Sequence, residues 1–92
     1  MHFVYLIVTK NKHKLTSYVG YTNNLKKRLD LHNQSKGAKF TRGRLWKLIY
    51  YKKFIKKNIA LKEEYKLKKD YKLRNRIKKN YIKNENFYSF TL

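Results

Sequence analysis

Cysteine and proline are both absent from this 92-residue chain, and acidic residues number only five. Without cysteine there are no disulfides, no thiolate metal sites and no cysteine nucleophile. Histidine is scarce as well, with His2, His13 and His32 the three present. A zinc cage built from them is not expected, because His2 and His13 fall in or near a terminus and a loop. No apolar run approaches the length needed to cross a bilayer. The N-terminal run "FVYLIV" is too short for a signal-peptide core followed by a cleavage site, and it has no basic leader. The default expectation is a soluble intracellular protein with no membrane partner.

What the chain does carry is positive charge. Lysine and arginine total 25, which sets the formal charge at +20. Self-repulsion at that charge works against a compact fold, and a polyanion would relieve it. Nucleic acid is the natural polyanion. A compositional lysine bias would explain many of the "KK" and "NK" pairs, but it does not explain why Asp and Glu are so few. Apolar residues at 41%, with nine Tyr and five Phe, are enough for a modest core in one small domain.

Read along the chain, residues 3–8 form a continuous apolar run that predicts a buried strand. Residues 10–16, "KNKHKLT", read as a polar turn, and residues 17–21, "SYVGY", as a second strand paired with the first in a hairpin. Thr22 or Asn23 is placed to cap a helix over roughly 24–33, with Gly37 suited to the tight turn after it. Residues 38–44, "AKFTRGR", make a basic loop, and residues 45–54 a third strand that opens with Trp46 in the core. Asn58 is placed to cap a helix over about 59–71, and a further basic helix follows over 72–83. The expected fold is α+β, a small three-stranded, mostly antiparallel sheet flanked by helices in the order β-β-α-β-α-α. Residues 1–83 form the domain, and 84–92 a tail able to pack back through Phe87 and Phe90.

Two of the helices aim ionisable groups at the side that should be buried. With Leu61 at zero on the helical wheel, Tyr65 falls at about 40° and Leu67 at about 240°, and Glu64 lies inside that arc at about 300°. With Leu25 at zero, Arg28 and His32 fall at about 300° and 340°, four residues apart on one face. A carboxylate against a core face is costly unless it is paired or binds a cation. A buried Arg28–Glu64 ion pair locking the helices is one reading, and a reactive site is the other. On the strands, Tyr18 and Gly20 share a face, and a tight turn would set Tyr5 opposite Tyr18. Gly20 has no side chain, which would let a backbone or ligand approach closely.

Taken together these residues resemble the GIY-YIG nuclease family. The first motif is "VYL" at 4–6 and the second "YVG" at 18–20, followed by "NLKKRLDLHN", "SKGAKFTRGR" and "ALKEE". The match runs from about residue 3 to residue 74, and is greatest to the small single-domain bacterial members. Each motif alone is weak, whereas five in order are strong. Val4 stands where the family name has Gly, a strand position that leaves the functional Tyr in place.

The resemblance implies a metal-dependent endonuclease that hydrolyses phosphodiester bonds in DNA, of the structure-selective repair and recombination kind. Glu64 would hold one divalent ion, Mg²⁺ or Mn²⁺, and Arg28 would clamp the phosphate with its planar fork. Tyr18 would act as general base or proton relay with Tyr5 beside it, and His32 as proton acceptor or phosphate ligand. The bland reading of His32 is a solvent-edge histidine at a helix end. Gly20, Lys39, Phe40, Arg42 and Arg44 are the nucleic-acid contacts, Phe40 by stacking on an unpaired base. DNA is preferred to RNA as partner, a protein partner is allowed, and the location is cytoplasmic, near the nucleoid. The alternative is a non-catalytic nucleic-acid-binding module on the same fold, associated with RNA or the ribosome.

Overall fold

The structure, a computed structural model, describes the backbone of residues 1–91 and the side chains of residues 1–84. Two strands, β1 (His2–Asn11) and β2 (Lys14–Thr22), lead into helix α1 (Leu25–Asn33). A single 3-10 turn at Lys39–Thr41 precedes strand β3 (Lys47–Phe54), and helices α2 (Lys57–Lys69) and α3 (Tyr71–Thr91) close the chain. The β-β-α-β-α-α order and the α+β class are those expected. The sheet order is β2-β1-β3, antiparallel throughout.

The central place of β1 explains its unbroken apolar run. A strand with helices over both faces has no solvent side, so both sets of alternating side chains must be apolar. Val4 and Leu6 join Val19, Ala60 and Leu67 on the α2 side. Tyr5 and Ile7 join Trp46 on the other, where Tyr18, Leu25, Leu29 and Leu48 pack against them. Between Leu6 and Ile7 the pairing with β3 shifts register, from Tyr50 opposite Leu6 to Leu48 opposite Ile7. A bulge of this kind bends the strand locally.

Several expected boundaries move. The polar segment 10–16 is mostly strand, because Asn11 pairs with Lys14 and the turn shrinks to Lys12 and His13. Lys12 takes the left-handed conformation that turn demands, at φ 58°. The cap of α1 is Asn24, one residue beyond the expected pair, and its side chain accepts from the Lys27 amide at 3.1 Å. Thr22 instead braces that cap, its hydroxyl accepting from the Asn24 amide. β3 begins at Lys47, just after Trp46. α2 starts at Lys57 without a side-chain cap, so Asn58 lies inside its first turn. The break between α2 and α3 falls at Asp70, whose carboxylate accepts from the Leu73 amide at 3.0 Å and starts the next helix. α3 then runs on to Thr91, and the expected packing of Phe87 and Phe90 falls outside the described side chains.

Among the described residues no helix is long and apolar enough to cross a membrane.

Candidate active site

Tyr5 lies at the middle of the middle strand, where a side chain is held from both sides. Its partner across the β1–β2 ladder is Gly20, and Tyr18 pairs with Ile7, so the expected Tyr5–Tyr18 opposition is corrected by two positions. A side chain at Gly20 would collide with the phenol of Tyr5. The vacancy that glycine provides is therefore filled from within the protein, by Tyr5, and is closed to an approaching nucleic acid. Tyr5 is 2% exposed.

The Tyr5 hydroxyl meets His32, which α1 carries inward at its last turn. His32 is fully buried, so it is neither the solvent-edge histidine nor a direct phosphate ligand. Its two ring nitrogens are both engaged, Nε2 with the Tyr5 hydroxyl at 2.7 Å and Nδ1 with Thr41 Oγ1 at 2.8 Å. The tautomer follows from counting protons. Thr41 has one hydroxyl proton and donates it to the carbonyl of Ala38, 2.8 Å away. It must then accept from His32, so Nδ1 carries the hydrogen and Nε2 accepts from Tyr5. Gly37 makes this possible in a way the sequence did not suggest. Ser35 at φ 59° takes the left-handed turn, and Gly37 is small because a side chain there would strike the His32 ring.

The surrounding charge bears on both groups. Burial lowers the His32 pKa below its ordinary 6.5, and the Arg28 guanidinium adds to the effect, so the ring stays neutral. Burial raises the Tyr5 pKa above its ordinary 10.0, Arg28 opposes the rise, and Tyr18 and Glu64 add to it. Arg28, Tyr18 and Glu64 thus all act on Tyr5, and His32 meets its hydroxyl from within.

Glu64 reaches this set from α2, and the helix is turned differently from the wheel set on Leu61. Leu61 and Tyr65 are 41% and 60% exposed, whereas Ala60 and Leu67 are the buried pair. The Ala60–Leu67 stripe has Glu63 on one side and Glu64 on the other, each about 50° away, which sets Glu64 at the edge of the buried face. Its side chain is only 19% exposed and pairs with Lys68 one turn later, at 3.7 Å. A single half-buried carboxylate suits an ion that keeps most of its water, as Mg²⁺ does. Among the described residues no three acidic or imidazole groups cluster to make a closed cage.

The basic loop supplies the rim. Lys39, Arg42 and Arg44 are exposed on it. Phe40 is 52% exposed and stacks on Tyr18 at 6.0 Å and 18°, while the Arg44 guanidinium sits over its ring at 5.3 Å. Trp46 is buried beneath, its indole donating to the Thr41 carbonyl at 2.9 Å. Asn33 clamps the loop to α1, accepting from the Trp46 amide at 2.6 Å and donating to the Trp46 carbonyl at 3.1 Å. Sequence reasoning missed Thr41, Asn33, Lys68 and Arg74. Asn33 has a faint signal, being the amide that ends the first helix beside His32. Thr41 has none, since its role depends on a fold-back across nine positions.

The structure thus brings a buried phenol on a neutral imidazole together with a guanidinium and one carboxylate. The chain matches the family model described as the GIY-YIG catalytic domain over residues 1–86, and it belongs to the GIY-YIG family, a nuclease superfamily. Its relatives are small bacterial proteins that carry the name UPF0213. The one from Oceanobacillus iheyensis is 48% identical over 65 residues, covering 70% of this chain and 72% of that protein. That of Clostridium perfringens is 44% identical over 66 residues, 71% of this chain and 68% of the other. That of Bacillus licheniformis is 45% identical over 65 residues, 70% of this chain but only 64% of the other. No solved structure matches the chain.

Proposed function

We propose that the protein is a metal-dependent endonuclease that hydrolyses phosphodiester bonds in DNA, with a structure-selective role in repair or recombination in the bacterial cytoplasm. The observation that carries the reading is the proton path at Tyr5. Its hydroxyl donates inward to His32, so its oxygen lone pairs face the other way. Where substrate binding admits a water beside this buried phenol, that water can give up a proton to the oxygen as Tyr5 passes its own to Nε2. This reverses the expected order of the tyrosines, with Tyr5 as base and Tyr18 at the cleft wall. Thr41 fixes the tautomer that leaves Nε2 open to receive.

Arg28 opposes the burial that raises the Tyr5 pKa, and it offers a planar fork to the phosphate. Glu64 would hold one Mg²⁺ or Mn²⁺, which supplies Lewis acidity and stabilises the leaving oxygen when bound. The lysine-rich surface raises the local concentration of a polyanion.

The test is cleavage of duplex, flap, junction and RNA substrates with and without Mg²⁺. Cleavage that needs the metal and is lost in Glu64→Ala, with binding nearly intact, supports the reading. Binding without cleavage of any substrate leaves only the nucleic-acid-binding module. Metal-dependent cleavage retained by Glu64→Ala defeats the metal assignment.

A further inference from the structure

A second cleft opens beside Tyr18, and it adds to that tyrosine side chains the catalytic set does not use. It has a volume of about 360 Å³ and is walled by Ser17, Tyr18 and Val19 of the β2 edge, by Phe40, and by Lys68 and Arg74 at the α2–α3 junction. That volume is at the lower end of pockets that hold small ligands, about 300–1,000 Å³. The lining combines an aromatic face with two cations. The pairing matches one nucleotide, which carries a flat π surface at one end and a phosphate at the other.

The aromatic wall is set in advance. Phe40 stays about half exposed although it sits against Tyr18 and, at 6.2 Å, Trp46. Its orientation is fixed by those neighbours, so little entropy is lost when a base stacks on it. Arg44 covers the ring from an exposed, flexible stem. A guanidinium plane can withdraw and stack on the far side of an entering base. The cationic wall is also held. Arg74 donates to the carbonyls of Leu67 and Lys68, which anchors its fork at the end of α2. Lys68 reaches Glu64 from the same turn, which joins this cleft to the carboxylate of the catalytic set.

We propose that this cleft is a subsite for one unpaired nucleotide flanking the scissile bond, with its base on Phe40 and its phosphate on Lys68 and Arg74. The proposal deepens the nuclease reading and rests on it only for the word flanking. A base in a duplex has both faces covered by its neighbours, so it can lie on Phe40 only after leaving the stack. Single-stranded or locally unpaired DNA is therefore the substrate class the cleft selects.

The experiment uses the full chain with metal chelated. Fluorescence anisotropy compares a labelled thymidine oligomer with a duplex of equal length, and 2-aminopurine in the single strand reports stacking. Wild type should bind the single strand more tightly and quench the 2-aminopurine. Phe40→Ala should lose about 5- to 150-fold on the single strand, change less than about two-fold on the duplex, and abolish the quenching. Phe40→Trp should restore both, which guards against a folding defect in the alanine variant. Lys68→Gln should lower the slope of log affinity against log salt by about 0.7 on the single strand. Equal losses on both substrates in Phe40→Ala, or a wild-type preference for duplex, would overturn the subsite. Metal-dependent cleavage alongside those results leaves the nuclease reading standing. A Phe40-dependent strand preference with no cleavage of any substrate supports the subsite and removes the nuclease.

Discussion

The Tyr5 hydroxyl donates to Nε2 of His32 across 2.7 Å in a part of the molecule closed to solvent. Both groups are neutral there, because burial disfavours the charged form of each. The pair is thus a proton donor and a waiting acceptor, held by a third residue, Thr41, that decides which nitrogen is free.

Stability should fall in mild acid because of His32. An unfolded histidine takes up a proton as pH drops through about 6.5, while the folded ring resists until lower pH. The unfolded state then holds more protons, so the contribution of neutral His32 is complete above that window and is lost as pH falls through it. Thermal unfolding between about pH 7.5 and about pH 5 should show a steeper loss for wild type than for His32→Gln. Parallel curves would contradict the burial of a neutral ring.

Gly20→Ala should damage the site without touching any charged group. The new methyl meets the Tyr5 phenol, and overpacking of this kind costs about 1–3 kcal/mol. Denaturant unfolding gives the stability cost, and a cleavage assay the displaced hydroxyl. Wild-type stability and activity together would mean that the ring has room the structure denies it.

Asn33→Ala should loosen the basic loop. Both hydrogen bonds from Asn33 to the Trp46 backbone disappear, at about 1 kcal/mol each. The loop carries Thr41 as well as Phe40, so the His32 tautomer should lose its lock. Proteolysis within residues 36–44 and a lowered melting temperature are the expected signs.

Arg28→Lys should keep the charge and lose the fork. An ammonium cannot make the paired contact a guanidinium makes with a phosphate. Cleavage should fall by about 10²-fold, the scale for removing one preorganised donor. Binding measured without metal should change little, since the lysine still neutralises a phosphate.

The order of elements is legible because each announces itself by period or composition. An apolar run with no alternation marks β1 as a buried strand, which the sheet order places at the centre. Arg28 and Glu64 are legible as charges on the wrong face of a helix. The wheel of α2 is misaligned because leucine is a weak marker of the core in a lysine-rich helix, where Ala60 packs closest and Leu61 faces water. Register is the other gap. The two-residue turn at Lys12 and His13 sets Tyr5 against Gly20, and a loop of polar residues does not state its own length. Thr41 and Gly37 serve His32 through contacts across a segment without period, which no spacing rule reports.

Because β1 is hydrogen-bonded along both edges, the phenol it bears belongs to the part of the molecule that comes apart last. Glu64 and Phe40 stand outside the sheet, on α2 and on the 3-10 turn, so an opening confined to those elements would leave the pairing of β1 intact. The proposed centre is therefore divided between a part built into the sheet and a part carried outside it. Amide hydrogen exchange would find the two halves on different clocks, and a partner that clasps the outer half could turn the centre on without reshaping the sheet.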